Sequence, residues 1–238
     1  MRRLGPLVTI VVALAVPAFL LGNGLWLLLN DWYVHAEYAR PGFPSDRYGF
    51  TEAQRTELAL VGLRAIQPAN GDGVQVLREA RLPDGRPAFN EREVFHMGEV
   101  RALVGKVLLA HAAALLVIVL GVVAGRLLDL GAALRRGLLA GSALTLGIAA
   151  VLGVYMLVNF DDFFVQFHEA LFTGDTWRFP SSDTLIRLYP DAFWSDFAGV
   201  LAGLTVLQAA LLAGALFWQR RRARAPLAAT GVGAAGSP

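Results

Sequence analysis

The sequence predicts an all-α membrane protein, a four-transmembrane-helix bundle with an extracytoplasmic cap and with N and C termini cytoplasmic. Three observations lead there. Of the 238 residues, 55% are hydrophobic and only 17% are charged, and the mean hydropathy is +0.51, too apolar for an ordinary soluble domain of this size. Four apolar runs are each long enough to cross about 30 Å of hydrocarbon as a helix: Leu4 to Leu29, Ala102 to Gly125, Gly137 to Asn159 and Phe197 to Trp218. The arginines then set the direction. Arg2 and Arg3 precede the first run, Arg126, Arg135 and Arg136 lie between the second and third, and Arg220, Arg221, Arg222 and Arg224 follow the fourth. All fall on one side of a four-span path, and short basic segments stay cytoplasmic. Asp129 is the one carboxylate on that side.

In chain order this gives a first span (1–30), a cap segment (31–101), a second span (102–125), a cytoplasmic loop (126–136) and a third span (137–159). An outer loop with an interfacial helix (160–196), a fourth span (197–218) and a cytoplasmic tail (219–238) follow. The first span reads as an anchor and not a signal peptide, because its apolar stretch exceeds an h-region and no small-x-small site ends it. The cap segment opens on Asp31, Trp32, Tyr33 and His35, suited to a membrane interface. Thr51 and Gln54 have capping-box spacing, and Leu58, Val61, Leu63 and Ile66 give the helix they start an apolar side. Turn signals at Asn70 to Gly73 and Pro83 to Arg86 bracket Val74 to Leu82, which fits strand or helix equally. Asn90 and Glu93 repeat the capping-box spacing, so a helix starts at Asn90 and runs unbroken into the second span.

In the outer loop Phe160, Phe163, Phe164, Phe167 and Leu171 recur at helical spacing, which predicts a helix with one greasy side at the interface. Asp161, Asp162, His168 and Glu169 are expected off that side. Gly121 with Gly125, Gly137 with Gly141, and Gly199 with Gly203 are GxxxG pairs that let helices approach closely. The tail from Ala225 to Pro238 is predicted to be disordered.

Several chemistries are excluded at once. With no cysteine there is no disulfide, thiolate nucleophile, cysteine metal site or lipid-attachment cysteine. The formal net charge of +2 gives no reason to expect a nucleic-acid partner. No HExxH is present, and His96 and His168 lack a second histidine at i+3 or i+4, so no metal is expected. No G-x-S-x-G is present either.

The histidines remain. His35, His96 and His168 fall near the outer membrane surface in the four-span path. Two of them around one reacting group would supply a general base and a general acid, whereas interfacial histidines that are merely solvated would do nothing. His111 lies mid-span, too far along its helix from His96 to share a site. A neutral imidazole bonded to a neighbouring helix is the expectation there.

The run Phe89 to Arg101, FNEREVFHMGEVR, resembles the ERE..HM.DV element of the lipoprotein intramolecular transacylases (Lit). Phe164 to Phe172, FVQFHEALF, with Gly174, Asp175, Thr176, Trp177 and the later Leu185 to Pro190, resembles that family's second signature. The resemblance implies a bacterial plasma (inner) membrane enzyme acting on diacylglyceryl lipoproteins, with membrane lipid around it and no cofactor. Such an enzyme moves the sn-2 acyl chain of the S-diacylglyceryl cysteine to that cysteine's α-amino group, leaving a lyso-form lipoprotein. His96 and His168 are the functional histidines it implies. Glu93, one helical turn from His96, would orient that imidazole or hold the substrate ammonium. Arg101, Asp161, Asp162 and Trp177 are candidates for oxyanion stabilisation, substrate anchoring or loop structure. Which histidine is base and which is acid, and whether an acyl-imidazole forms, stay open. The reading from a different class is a non-enzymatic membrane scaffold or a lipid- or lipoprotein-binding protein.

Overall fold

The computed structural model describes residues 4–224. Arg2, Arg3 and the tail from Ala225, on which orientation and disorder expectations rest, lie outside them. Nine helices form among the described residues: α1 (Leu4–Leu28), α2 (Asp31–Tyr38), α3 (Glu52–Ile66), α4 (Gln75–Glu79), α5 (Glu91–Leu127), α6 (Gly131–Val158), α7 (Phe160–Leu171), α8 (Thr184–Leu188) and α9 (Asp191–Arg224). Four of them, α1, α5, α6 and α9, are long and apolar enough to cross a membrane.

α1 is the centre of the bundle and packs against α5, α6 and α9. Its contact with α6 depends on small residues. A Cβ on Gly137 would come within 2.8 Å of Val12 Cβ, and one on Gly141 within 2.5 Å of Val16 Cβ, so both positions require glycine for the helices to meet. Gly199 and Gly203 face open space instead, so that pair brings no two helices together among the described residues. Polar groups join three helices mid-bundle. The His111 imidazole Nε2 pairs with Asn23 Oδ1 at 2.9 Å, and Asn23 Nδ2 donates to Gln208 Oε1 at 2.9 Å. His111 is thus bonded to a neighbouring helix, as its mid-span position predicts.

The remaining helices make a cap over one end of the bundle. Its core gathers Leu28, Val34, Tyr38, Leu58, Leu63, Leu77, Val94 and Leu188, and buried polar groups pin its loops. Arg187 pairs with Asp46 at 3.0 Å on both nitrogens, and this guanidinium holds the Asp46 carboxyl down to about 2. Tyr38 Oη donates to the Leu188 carbonyl at 2.8 Å.

Both predicted capping boxes close, at Thr51 with Gln54 and at Asn90 with Glu93. The ambiguous stretch from Val74 resolves into the single turn α4 and an isolated antiparallel bridge, Arg81 to Pro87. Helix ends differ from the apolar runs: α6 begins at Gly131 and α9 at Asp191, since a helix continues past the hydrocarbon wherever its backbone bonds remain satisfied. Only Leu128 to Leu130 separate α5 from α6, with Asp129 at φ 55°, a left-handed turn that aspartate tolerates. Tyr33, expected at an interface, is buried in the cap beside Phe193 and Phe197, while its neighbour Trp32 stays exposed.

Candidate active site

α5 has 37 residues, about 55 Å of helix against about 30 Å of hydrocarbon, so its first turns project from the apolar part into the cap. His96 stands on the second of these turns. α7 follows α6 directly, and His168 lies in its last turn, where the helix C-terminus favours positive charge. The two histidines, 72 positions apart in the sequence, come together with ring centroids 6.1 Å apart and planes at 29°.

Aromatic side chains enclose them. Phe172 lies 4.9 Å from His96 and 5.3 Å from His168 between centroids, Phe179 is 5.6 Å from His96, and Phe164 and Trp177 are 4.0 and 4.8 Å from His168. Both histidines are buried, and burial drives both imidazoles toward the neutral form. For His96, burial and then the nearby His168 lower the pKa to about 4, against an opposing pull from Glu99. For His168 burial lowers it, against the hydrogen bond to the Phe164 carbonyl. That bond, from Nδ1 at 2.7 Å, sets the neutral tautomer and leaves Nε2 with its lone pair.

The loop after α7 completes the enclosure. α7 ends when Phe172 turns extended, and Gly174 at φ 63° turns the chain so that Trp177 returns over His168. Two α5 side chains flanking His96 clasp this loop: Arg92 donates to the Asp175 carbonyl at 2.5 Å, and Glu99 Oε2 accepts from Thr176 Oγ1 at 2.7 Å. Trp177 is buried and its indole Nε1 has no hydrogen-bond partner.

The other sequence candidates separate. Glu93 does not reach either imidazole with a hydrogen bond. Its Oε2 accepts the Asn90 N–H and its Oε1 the Leu185 N–H, each at 2.7 Å, so it clamps α5 to α8, and burial raises its pKa. Arg101 directs its guanidinium at four carbonyls, those of Ala65, Gln67, Pro68 and Asn70, closing the end of α3. Asp161 and Asp162 occupy the exposed first turn of α7, about 10 Å of helix from His168. His35 is exposed and stands apart in α2. His168 itself lies at the edge of the α7 apolar face, packed on Phe164, and not off it. Among the described residues no group of three or more His, Asp or Glu could hold a metal.

Sequence reasoning missed Glu99, Phe172 and Phe179. Glu99 had a readable signal, since i+3 from His96 places it on the same helix face. Its Oε2 lies 3.8 Å from His96 Nδ1.

The chain is similar to known proteins in sequence and in fold. The family model for the lipoprotein intramolecular transacylase Lit matches residues 10–194. An uncharacterized protein of Aquifex aeolicus (strain VF5) is 29% identical over 212 residues, covering 87% of this chain and 94% of that one. In fold, the chain superposes on the membrane integral lipoprotein intramolecular transacylase Lit from Bacillus cereus with a TM-score of 0.79 at 19% identity, covering 94% of this chain and 99% of that one. A structure of the same Bacillus cereus protein with a histidine-to-alanine mutation gives 0.72, also at 19% identity, covering 93% and 96%. With a match spanning most of its length, this four-helix membrane chain belongs to the lipoprotein intramolecular transacylase (Lit) family.

Proposed function

We propose that this chain moves the sn-2 acyl chain of a lipoprotein's S-diacylglyceryl cysteine onto the α-amino group of the same cysteine. Its place is a bacterial plasma membrane, with His96 and His168 facing the extracytoplasmic side. The observation that carries the reading is the pair of buried imidazoles, 6.1 Å apart in an aromatic enclosure, where the cap meets an apolar helix bundle. Arg126, Arg135 and Arg136 lie around the α5–α6 turn, at the bundle end opposite the cap, and the retention of short basic segments in the cytoplasm supports the sidedness.

The chemistry needs what this site holds. As the amine nitrogen attacks the ester carbonyl, the C–N bond forms and the amine gives up a proton. When the tetrahedral intermediate collapses, the C–O bond to the sn-2 carbon's oxygen breaks and that oxygen takes up a proton. One histidine, neutral through burial, accepts the first proton and the other delivers the second to the departing oxygen, the proton passing between the adjacent rings to reset the pair. Counted from the amine through sulfur to the carbonyl, the ring has about eight members, so holding the lipid folded contributes much of the rate. An aromatic enclosure suits that task, because it excludes water that would hydrolyse the ester. The buried, unpartnered Trp177 N–H is the donor best suited to the oxyanion. Glu93 and Arg101 act through the fold, holding α5 against α8 and α3. A scaffold function has no use for two buried imidazoles face to face.

The test is expression in a bacterium that makes diacyl or triacyl lipoproteins, followed by mass spectrometry of N-terminal lipopeptides. Wild type is expected to yield the lyso form, and His96→Ala or His168→Ala to abolish it while the protein still accumulates in the membrane. Full activity in both variants would overturn the paired-histidine mechanism. Absence of lyso product with wild type would return the scaffold reading.

A further inference from the structure

We propose that Glu99 is the positioning residue of His96: its carboxylate holds the proton on Nδ1 and so presents Nε2 to the reacting atoms. The inference rests on the acyl-transfer reading above and names a carboxylate that this reading does not require.

Three observations lead to it. His96 Nδ1 is buried and has no hydrogen-bond partner, which in a low-dielectric site is costly unless a partner comes within reach. The nearest acidic oxygen is Glu99 Oε2 at 3.8 Å, one helical turn away on the same face of α5. That carboxylate is held in place from the far side by Thr176 Oγ1 at 2.7 Å and by the Thr173 N–H at 3.5 Å. Catalytic hydrogen bonds are often long without substrate and tighten when it binds. Closing a gap of this size needs only a small side-chain adjustment.

The other groups around His96 do not compete for Nδ1. His168, from α7, has its own Nδ1 committed to the Phe164 carbonyl. Arg92 stacks over Phe179, and Arg178 over Trp177, so both neighbouring cations have aromatic faces beneath them. Both oxygens of Glu93 accept backbone N–H groups. Glu99 is therefore the acidic group that stabilises a protonated His96. Whether His96 acts as the base or as the acid, its imidazolium forms beside a carboxylate when Nε2 holds the proton in transfer.

The experiment uses the full-length protein in detergent micelles or bicelles with ¹⁵N-labelled histidine, the His96 signals assigned by their loss in His96→Ala. In wild type the neutral His96 ring is expected to carry its proton on Nδ1. In Glu99→Gln that tautomer preference is expected to fall and the titration midpoint to move to lower pH, because the carboxylate favours the charged ring. In the same variant kcat is expected to fall about 10²-fold at unchanged KM for a synthetic diacylglyceryl lipopeptide. Thr176→Val, which removes one of the two loop bonds and leaves the carboxylate and the Thr173 N–H, is expected to keep the tautomer. Wild-type kcat in Glu99→Gln would overturn the proposal. So would a loss of kcat with tautomer and midpoint unmoved, which would reduce Glu99 to a loop anchor. A raised KM with the ring unchanged would make Glu99 a binder of the substrate ammonium instead. The spectroscopic result is readable without turnover, so a failure of the acyl-transfer reading would be seen separately, as no lyso product from wild type.

Discussion

His96 and His168 face each other, yet their seats are built by different physics. His96 stands on a helix fixed from all sides by backbone-directed polar bonds. The Asn90–Glu93 capping box starts α5, Glu93 reaches across to the Leu185 N–H, Arg101 closes the end of α3, and Val94 and Met97 are buried in the cap core. His168 stands on a short helix that packs against α6 and is tied to the following loop by Glu169 and Arg178, and its imidazole meets aromatic rings. Phe167 and Leu171 on α7 remain exposed, as a helix at a lipid boundary would leave them. One imidazole is held by the folded core and the other by an aromatic wall. A substrate that is half protein and half lipid is well served by that division, with a rigid reference on one side and an apolar approach on the other. The difference predicts that damage to the first seat reads out as stability and damage to the second as rate.

The largest effect is expected from Glu93→Ala. Removing the carboxylate leaves the buried Leu185 N–H without an acceptor, at about 1–3 kcal/mol, and undoes the cap on the exposed Asn90 N–H, at about 1 kcal/mol. A total near 3 kcal/mol would lower the Tm of a protein of this size by roughly 10 °C. Thermal unfolding of the purified protein in detergent measures it, and activity per folded molecule at low temperature should stay near wild type. A variant that keeps its Tm but loses activity would move Glu93 from the seat into the chemistry.

Trp177→Phe sharpens the other side. A six-membered ring stays beside His168 while the pyrrole ring with its unpartnered Nε1–H is lost, so stability should fall only by about 1 kcal/mol for the space left. If that N–H meets the oxyanion, kcat falls about 10²-fold with KM little changed, measured by the rate of lyso-lipopeptide formation. A wild-type kcat would limit Trp177 to a wall of the enclosure.

The same division explains what could be read from the sequence. The apolar runs and both capping boxes are local signals, whose outcome depends on residues within one turn, and they survive folding unchanged. The site is a product of distance. Glu93 and Glu99 both lie one turn from His96, and although the capping box commits one Glu93 oxygen locally, what their other oxygens meet is not local. Glu93 is claimed by Leu185, 92 positions away, and Glu99 by Thr176, 77 positions away. Similarly, the Gly199–Gly203 spacing matches a packing motif, but packing depends on which face meets a neighbour, and among the described residues these two glycines face open space. Tyr33 reads as interfacial by its neighbours and is buried by Phe193 and Phe197, which arrive from α9. The paired histidines were legible only through the resemblance carried by their motifs, because no periodicity links α5 to α7.

Asp161 and Asp162 give the smallest effect and the finest test of where the second seat ends. They share the first turn of α7, about 10 Å of helix from His168. Asp162 donates its N–H to Asn159 Oδ1 at 3.2 Å and accepts from Tyr155 Oη at 2.5 Å, while Asp161 is exposed. Their negative charge complements the start of the helix, an effect of about 0.3–1 kcal/mol for each. Asp161→Asn should therefore leave kcat within about twofold, and Asp162→Asn should cost slightly more through the lost charge on the Tyr155 bond, both read as initial rates on one lipopeptide. A hundredfold loss in Asp161→Asn would mean that the acidic turn reaches substrate. The seat of His168 would then extend along the whole of α7, and its contrast with the locally pinned His96 would fail.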